Sequence, residues 1–425
     1  MKKIMQHLDG NHDKSVVLVG GGFIGLELAE QLRQRGLKVT VLEKSSHVMP
    51  MLSDDLAHAL QIHLRKHNVN LVLGDGVAGF QHAGGTSLTV LTEKEKELEA
   101  DIVILGIGVV PETYLASDCG LKLGVRGSIV TDEHMRTNDE NIFAVGDAVE
   151  TYDFITKGRT NVPLAGPANR QGRVAGDVLA GKNSVFRGVQ GTAVCEVFGL
   201  SIAISGASEL SLQRAGISYA TANIHPGNHV SYYPGAKQMH LKLFFDPQNG
   251  KIFGVQGIGE GEGVVRRVDV IAMAMQLNGT VADLAEAELC YSPSFGAAKD
   301  AVNMIGFVAQ NAIDMHSPLG DWEKVPSPDF VPGSAAQECN ILDVRTAAEY
   351  EAQHIPGAIN IPLESLRERI KEVPTDKPLL VTCQAGQRGY YALRLLLHHR
   401  IDAKNLSGGM ITYCMIHEME VKRPK

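Results

Sequence analysis

The sequence predicts an α/β protein built from several domains, and three observations carry that prediction. Its 425 residues are nearly three times the ~150 typical of one domain. Near the start a short apolar run, Val16-Val17-Leu18-Val19, leads into three glycines and then into apolar residues at helical spacing. Near the end, short buried strands again alternate with helical stretches, the pattern of a parallel sheet flanked by helices.

The run 16–19 is too brief for a helix and reads as a buried parallel strand. Ile24, Leu28 and Leu32 then fall on one helical face until Gly36, a C-terminal stop signal. A second strand at 38–42 completes a strand–helix–strand unit of about 30 residues. A helix over 54–67, hairpin-like strands across 69–90 and a buried run at 101–105 follow. Next come Asn141-Ile142-Phe143-Ala144-Val145-Gly146-Asp147 and a helix over 169–179. Short strands at 192–197 and 241–245 and one apolar helix at 265–277 fit an α+β unit suited to subunit association. Prolines and glycines break the periodicity over 317–336, as in a linker. The expected division is therefore 14–123, 124–187, 188–318, a linker at 319–336, and 337–425.

Composition excludes several function classes. Forty basic residues against 48 acidic ones leave a net charge of −8, with no broad positive field for nucleic acid. The longest apolar stretches, 16–19 and 102–110, fall well short of the ~20 residues of a membrane span. Residues 1–13 are polar and lack the apolar core of a secretory signal, which points to the cytoplasm. The cysteines at 119, 195, 290, 339, 383 and 414 form no CxxC pair, so neither a disulfide framework nor a metal cage is expected.

Gly20-Gly21-Gly22-Phe23-Ile24-Gly25 matches G-x-G-x-x-G. Gly20 permits the tight turn, Gly22 lets backbone approach a pyrophosphate, and Gly25 lets helix pack on strand. The helix N-terminus adds unpaired N–H groups facing the phosphates. Eighteen residues after Gly25, Glu43 closes the second strand, where a carboxylate accepts hydrogen bonds from a ribose diol and repels an added phosphate. NADH is the expected coenzyme, with NADPH left open by Lys44. Cys383 follows a buried strand, 379–382, and its loop leads into a helix. Backbone N–H groups there can curl round an anionic sulfur, Arg388 adds positive potential, and such a setting activates a thiol. A structural cysteine at a strand end is the alternative, and the remaining cysteines read as packing residues.

With Gly106-Ile107-Gly108-Val109-Val110-Pro111 and Gly146-Asp147 added, the chain resembles the flavin-dependent pyridine nucleotide–disulfide oxidoreductases. Within them it is most similar to coenzyme A-disulfide reductases fused to a rhodanese domain, since Asp343-Val344-Arg345, His354-Ile355-Pro356-Gly357-Ala358 and Cys383-Gln384-Ala385-Gly386-Gln387-Arg388 resemble a rhodanese domain. The resemblance implies a Rossmann-like NAD-binding domain, part of a FAD-binding domain, a dimerisation domain and a rhodanese-like domain, in a homodimer. It implies that Asp147 binds the flavin's ribityl chain, that Ala168 and Asn169 lie beside its ring, and that Glu27 sits near nicotinamide and flavin. It also implies that Tyr233 and Tyr291 reach the substrate sulfur from the partner subunit. A helix N-cap for Asp147 and interface packing for the tyrosines are the alternatives.

The implied activity is reduction of CoA disulfide, CoA persulfide or polysulfide with FAD and NADH, with sulfane sulfur carried on Cys383. A persulfide carrier or sensor on an NADH-binding scaffold is the rival reading. An NADH oxidase or peroxidase is disfavoured by the rhodanese motifs. A first flavin-binding unit and a redox cysteine precede the NAD domain in this family, and the sequence shows neither. The expectation is an incomplete reductase that retains little FAD, its C-terminal domain keeping sulfurtransferase activity.

Overall fold

The computed structural model describes residues 14–84, 87–331 and 337–424. The polar stretch 1–13 and the linker residues 332–336 lie outside them. The first unit is a parallel sheet in the order β3-β2-β1-β7, from β1 (Ser15–Val19), β2 (Lys38–Glu43), β3 (Val69–Leu73) and β7 (Ile102–Leu105). Helices α1 (Phe23–Gln34) and α2 (Asp54–Lys66) pack Leu26, Ala29, Leu56, Leu60 and Leu64 against Val16, Leu18, Val39 and Val41.

The hairpin expected across 69–90 divides differently. Val69–Leu73 runs parallel to β2, with Val39 opposite Val69. Gly74, at φ +63°, turns the chain out of that sheet. Strands β4 (Val77–Gly84), β5 (Ser87–Thr92) and β6 (Glu97–Ala100) then form a separate antiparallel sheet.

Beyond α3 (Tyr114–Asp118), short strands β8 (Thr151–Tyr152) and β9 (Arg159–Thr160) precede α4 (Ala165–Leu179). This helix starts four residues before the expected 169, so Asn169 lies inside it. The third unit is an antiparallel sheet ordered β10-β11-β14-β13-β12: β10 (Ala193–Val197), β11 (Leu200–Gly206), β12 (Ala220–Ile224), β13 (Met239–Phe245) and β14 (Ile252–Glu260). With α5 (Glu209–Arg214) it carries three further helices, α6 (Gly263–Gln276), α7 (Val281–Glu286) and α8 (Ala301–Ile313), where the sequence suggested one. Asp300 starts α8 with a reciprocal capping box to Asn303.

The last unit is a parallel sheet ordered β16-β15-β17-β18, from β15 (Asn340–Asp343), β16 (Ile359–Asn360), β17 (Leu379–Thr382) and β18 (Ala403–Asn405). Helices α9 (Ala347–Ala352), α10 (Leu363–Leu366), α11 (Gln387–His398) and α12 (Gly409–Ile416) surround it. The first part of the expected linker packs on this unit. Gly320 donates its N–H to Asn405 O at 2.9 Å, and Val325 is buried beside Tyr413 and Leu380. No helix among the described residues is long and apolar enough to cross a membrane.

Candidate functional site

Two sites emerge, a dinucleotide cleft and a sulfur cradle, and α12 docks the second on the unit that holds the first. At the C-terminal edge of the first sheet lies a cavity of about 860 Å³ whose lining includes Gly20, Gly22, Glu43, Gly108 and Asn161. Gly20 has φ +109°, and a Cβ there would collide with the carbonyl of Gly106. A Cβ at Gly25 would collide with Gly20 O, so this glycine brings α1 onto the turn. A Cβ at Gly22 would meet nothing within 4 Å, which is the open approach a pyrophosphate requires. The residues present thus fit a dinucleotide.

Glu43 is buried at the end of β2, its carboxylate accepting the N–H of Gly21 at 2.7 Å and of Ser45 at 2.8 Å. Lys44 points away, to Glu93 at 2.9 Å. Sequence reasoning missed His47, buried next to this turn. Its Nε2 lies 3.2 Å from Asp54, whose hydrogen bond holds the imidazole above its ordinary pKa.

The flavin-side candidates are solvent-facing. Asp147 is exposed in a turn and starts no helix, so the N-cap alternative does not apply. Its carbonyl accepts from Asn161 Nδ2 at 2.8 Å, which ties the turn to the cavity wall. Gly146, at φ +91°, donates its N–H to Gln171 of α4 at 2.7 Å, and a Cβ on it would meet nothing within 4 Å. An open glycine turn with a carboxylate beside the first turns of α4, which hold Ala168 and Asn169, fits a flavin's polyol and ring edge. Glu27 is exposed on α1, its charge near Cys195, whose thiol is pushed up to about 12 chiefly by burial. Tyr291 is hydrogen-bonded to Tyr232, which raises its pKa, whereas the ring of Tyr233 packs edge-on against His229. All three tyrosines are exposed and lie outside the cavity lining.

Cys383 follows β17 and is 1% exposed, its Sγ accepting the N–H of Gly386 at 3.1 Å. Gly386, at φ +96°, starts α11. Arg388 meets a counter-charge the sequence reading did not anticipate. Both its terminal nitrogens bind Glu349, at 2.7 and 2.6 Å. Glu349 is also held by the N–H and hydroxyl of Thr346, and the guanidinium lowers its carboxyl to about 2. The signal was Thr346-Ala347-Ala348-Glu349, a capping-box pattern. Burial raises Cys339, and pushes Cys414 up to about 11, as befits packing residues. Cys119 and Cys290 are exposed, which corrects the expectation that they pack.

Helix α12 links the Cys383 loop to α2. Met410 N–H donates to Cys383 O at 2.8 Å and Ile411 N–H to Gln384 O at 3.1 Å. Its far end receives hydrogen bonds from His58 of α2 on the carbonyls of Met415 and Ile416. Thr412 bonds His225 at 2.7 Å, and His225 in turn lies 2.8 Å from His240, Nδ1 to Nδ1. Ile411 and Met415 belong to the apolar core of the first sheet.

Three stretches of the chain match known families. Residues 2–172 match the pyridine nucleotide-disulphide oxidoreductase profile, 192–302 its dimerisation domain and 333–414 the rhodanese-like domain. An NAD(P)H sulfur oxidoreductase (CoA-dependent) of Pyrococcus abyssi is 34% identical over 306 residues, 72% of this chain and 68% of that protein. The crystal structure of reduced Bacillus anthracis CoADR-RHD matches with a TM-score of 0.92 at 40% identity, covering 98% of this chain and 73% of that one. An NAD-dependent persulfide reductase from A. fulgidus matches at TM-score 0.86 and 35% identity, covering 97% and 73%. The cleft has the shape to take a dinucleotide, and the Cys383 loop can hold an anionic sulfur.

Proposed function

The chain belongs to the pyridine nucleotide-disulphide oxidoreductase family, and from that premise we propose a homodimeric NADH- and FAD-dependent reductase of CoA disulfide, CoA persulfide or polysulfide, whose C-terminal domain carries sulfane sulfur on Cys383. The observation that carries this reading is the docking of the Cys383 loop, through α12, onto the domain that holds the dinucleotide cleft. Gly20, Gly22 and Gly25 shape the pyrophosphate turn, and Glu43 orients the adenosine ribose. Asp147, Ala168, Asn169 and Glu27 would hold FAD, which when bound supplies two-electron transfer between NADH and a sulfur–sulfur bond. Tyr291, with Tyr232 or Tyr233, donates a proton to a leaving thiolate. The Gly386 N–H and the start of α11 stabilise the Cys383 thiolate and the persulfide it forms.

Mass spectrometry after polysulfide treatment should find one added sulfur atom on the Cys383 peptide, and Cys383→Ser should abolish sulfur transfer to cyanide. Unchanged transfer in that variant overturns the assignment. One observation favours the carrier or sensor reading: no cysteine is among the described residues lining the dinucleotide cleft. Purified protein whose flavin absorbance bleaches with NADH supports the reductase, and protein without flavin absorbance supports the carrier.

A further inference from the structure

The charges around Cys383 cancel in pairs. Arg388 is close enough to Cys383 for their charges to interact, yet Glu349 grips it through both terminal nitrogens. Arg345, whose Nη1 reaches Gln384 of the cysteine loop at 3.3 Å, is matched by Asp343 at 2.6 Å, with side chains 1% and 0% exposed. The other loop side chains, Gln384, Ala385 and Gln387, are neutral. What remains for an anion is the Gly386 N–H and the N-terminus of α11, about half an elementary charge. That suffices for one negative charge on sulfur. A dianion brought to a site so buried finds no uncompensated guanidinium beside the loop.

We propose that the Cys383 cradle selects organic persulfides, neutral at the reacting sulfur in their RSSH form, over the thiosulfate dianion, and that Glu349 sets this preference by neutralising Arg388. The inference rests on the reading of Cys383 as a sulfane carrier. With a persulfide, the thiolate attacks the outer sulfur of RSSH, the S–S bond breaks, and RS⁻ leaves with the electron pair and takes the proton of the new Cys383 persulfide. With thiosulfate, the same attack expels sulfite, so both negative charges must first enter the cradle.

The test is the rate of Cys383 persulfidation in the full chain, read by intact-mass spectrometry with glutathione persulfide or thiosulfate as donor. Glutathione persulfide should be preferred by about a hundredfold, and Glu349→Gln should cut the preference about tenfold, the factor that ~1.4 kcal/mol of released charge attraction gives. The double variant Glu349→Gln/Arg388→Gln is as neutral as the native pair and should restore the native ratio. That return separates charge from structural damage. Equal rates in the native chain, or an unchanged ratio in folded Glu349→Gln protein, overturn the inference. Persulfidation by neither donor overturns the carrier reading beneath it.

Discussion

Glu43 has a structural role in the turns beside the cleft, and under the proposed function a selective one as well. It accepts the N–H groups of Gly21 and Ser45 and puts a carboxylate on the wall of the cleft, where the proposed function has it repel an added phosphate. Glu43→Ala removes the repulsion but leaves two amides without their acceptor, at a cost of ~1–3 kcal/mol each where they stay buried. The variant should therefore be less stable and should bind NADH and NADPH with affinities closer by about tenfold. Paired calorimetric titrations read the gap, and an unaltered ratio would remove Glu43 as the coenzyme selector.

At the scale of elements, the start of α11 and the capping box of α9 are clipped together by Arg388 and Glu349. The pair joins the cysteine loop to a short helix 39 residues earlier in sequence. Because Glu349 is held at about 2 against an ordinary 4.5, its stabilisation is complete above pH 4.5 and is lost as pH falls toward 2. Acid unfolding followed by circular dichroism should separate native protein from Glu349→Gln at neutral pH and bring them together near pH 2. A constant gap across that range would mean the pair contributes nothing to the fold. Side chains on both partners are partly exposed, so the effect should be modest.

The C-terminal unit docks on the rest of the molecule largely through α12, seven of whose eight residues are buried between the C-terminal sheet, α2 and the end of β12. Its polar contacts include His58 on the Met415 and Ile416 carbonyls and the group Thr412, His225 and His240, with Asp55 and its partner Lys242 nearby, while Arg65 and Lys66 of α2 pair with Glu418 and Glu420 just beyond it. Burial keeps both imidazoles neutral, His240 down to about 4 and His225 lower than its ordinary value as well. Docking is then fully stabilised above pH 6.5 and weakens as pH falls from 6.5 toward 4, because the opened state takes up protons that the docked state cannot. Amide exchange in α12, corrected for the intrinsic pH dependence of exchange, should accelerate over that window, and His240→Gln should flatten the response. If the corrected exchange is independent of pH, the histidine pair does not couple the domains.

Sequence alone determined what depends on neighbours along the chain. The strand, the glycine turn and the helix of residues 15–34 follow from local periodicity and from collisions a Cβ would create, and Glu43 follows from the length of one strand–helix–strand unit. The Cys383 loop was legible for the same reason, as a strand end running into a helix. Tertiary structure alone decided the pairings that spacing does not encode. It put Val69–Leu73 beside β2 instead of β4, matched Arg388 with Glu349, paired Tyr291 with Tyr232, and brought Thr412 to His225 across 187 residues. Turn chemistry and hydrophobic period are properties of a few consecutive residues. Which charge cancels which, and which domain closes over a thiol, are properties of surfaces that meet only after folding.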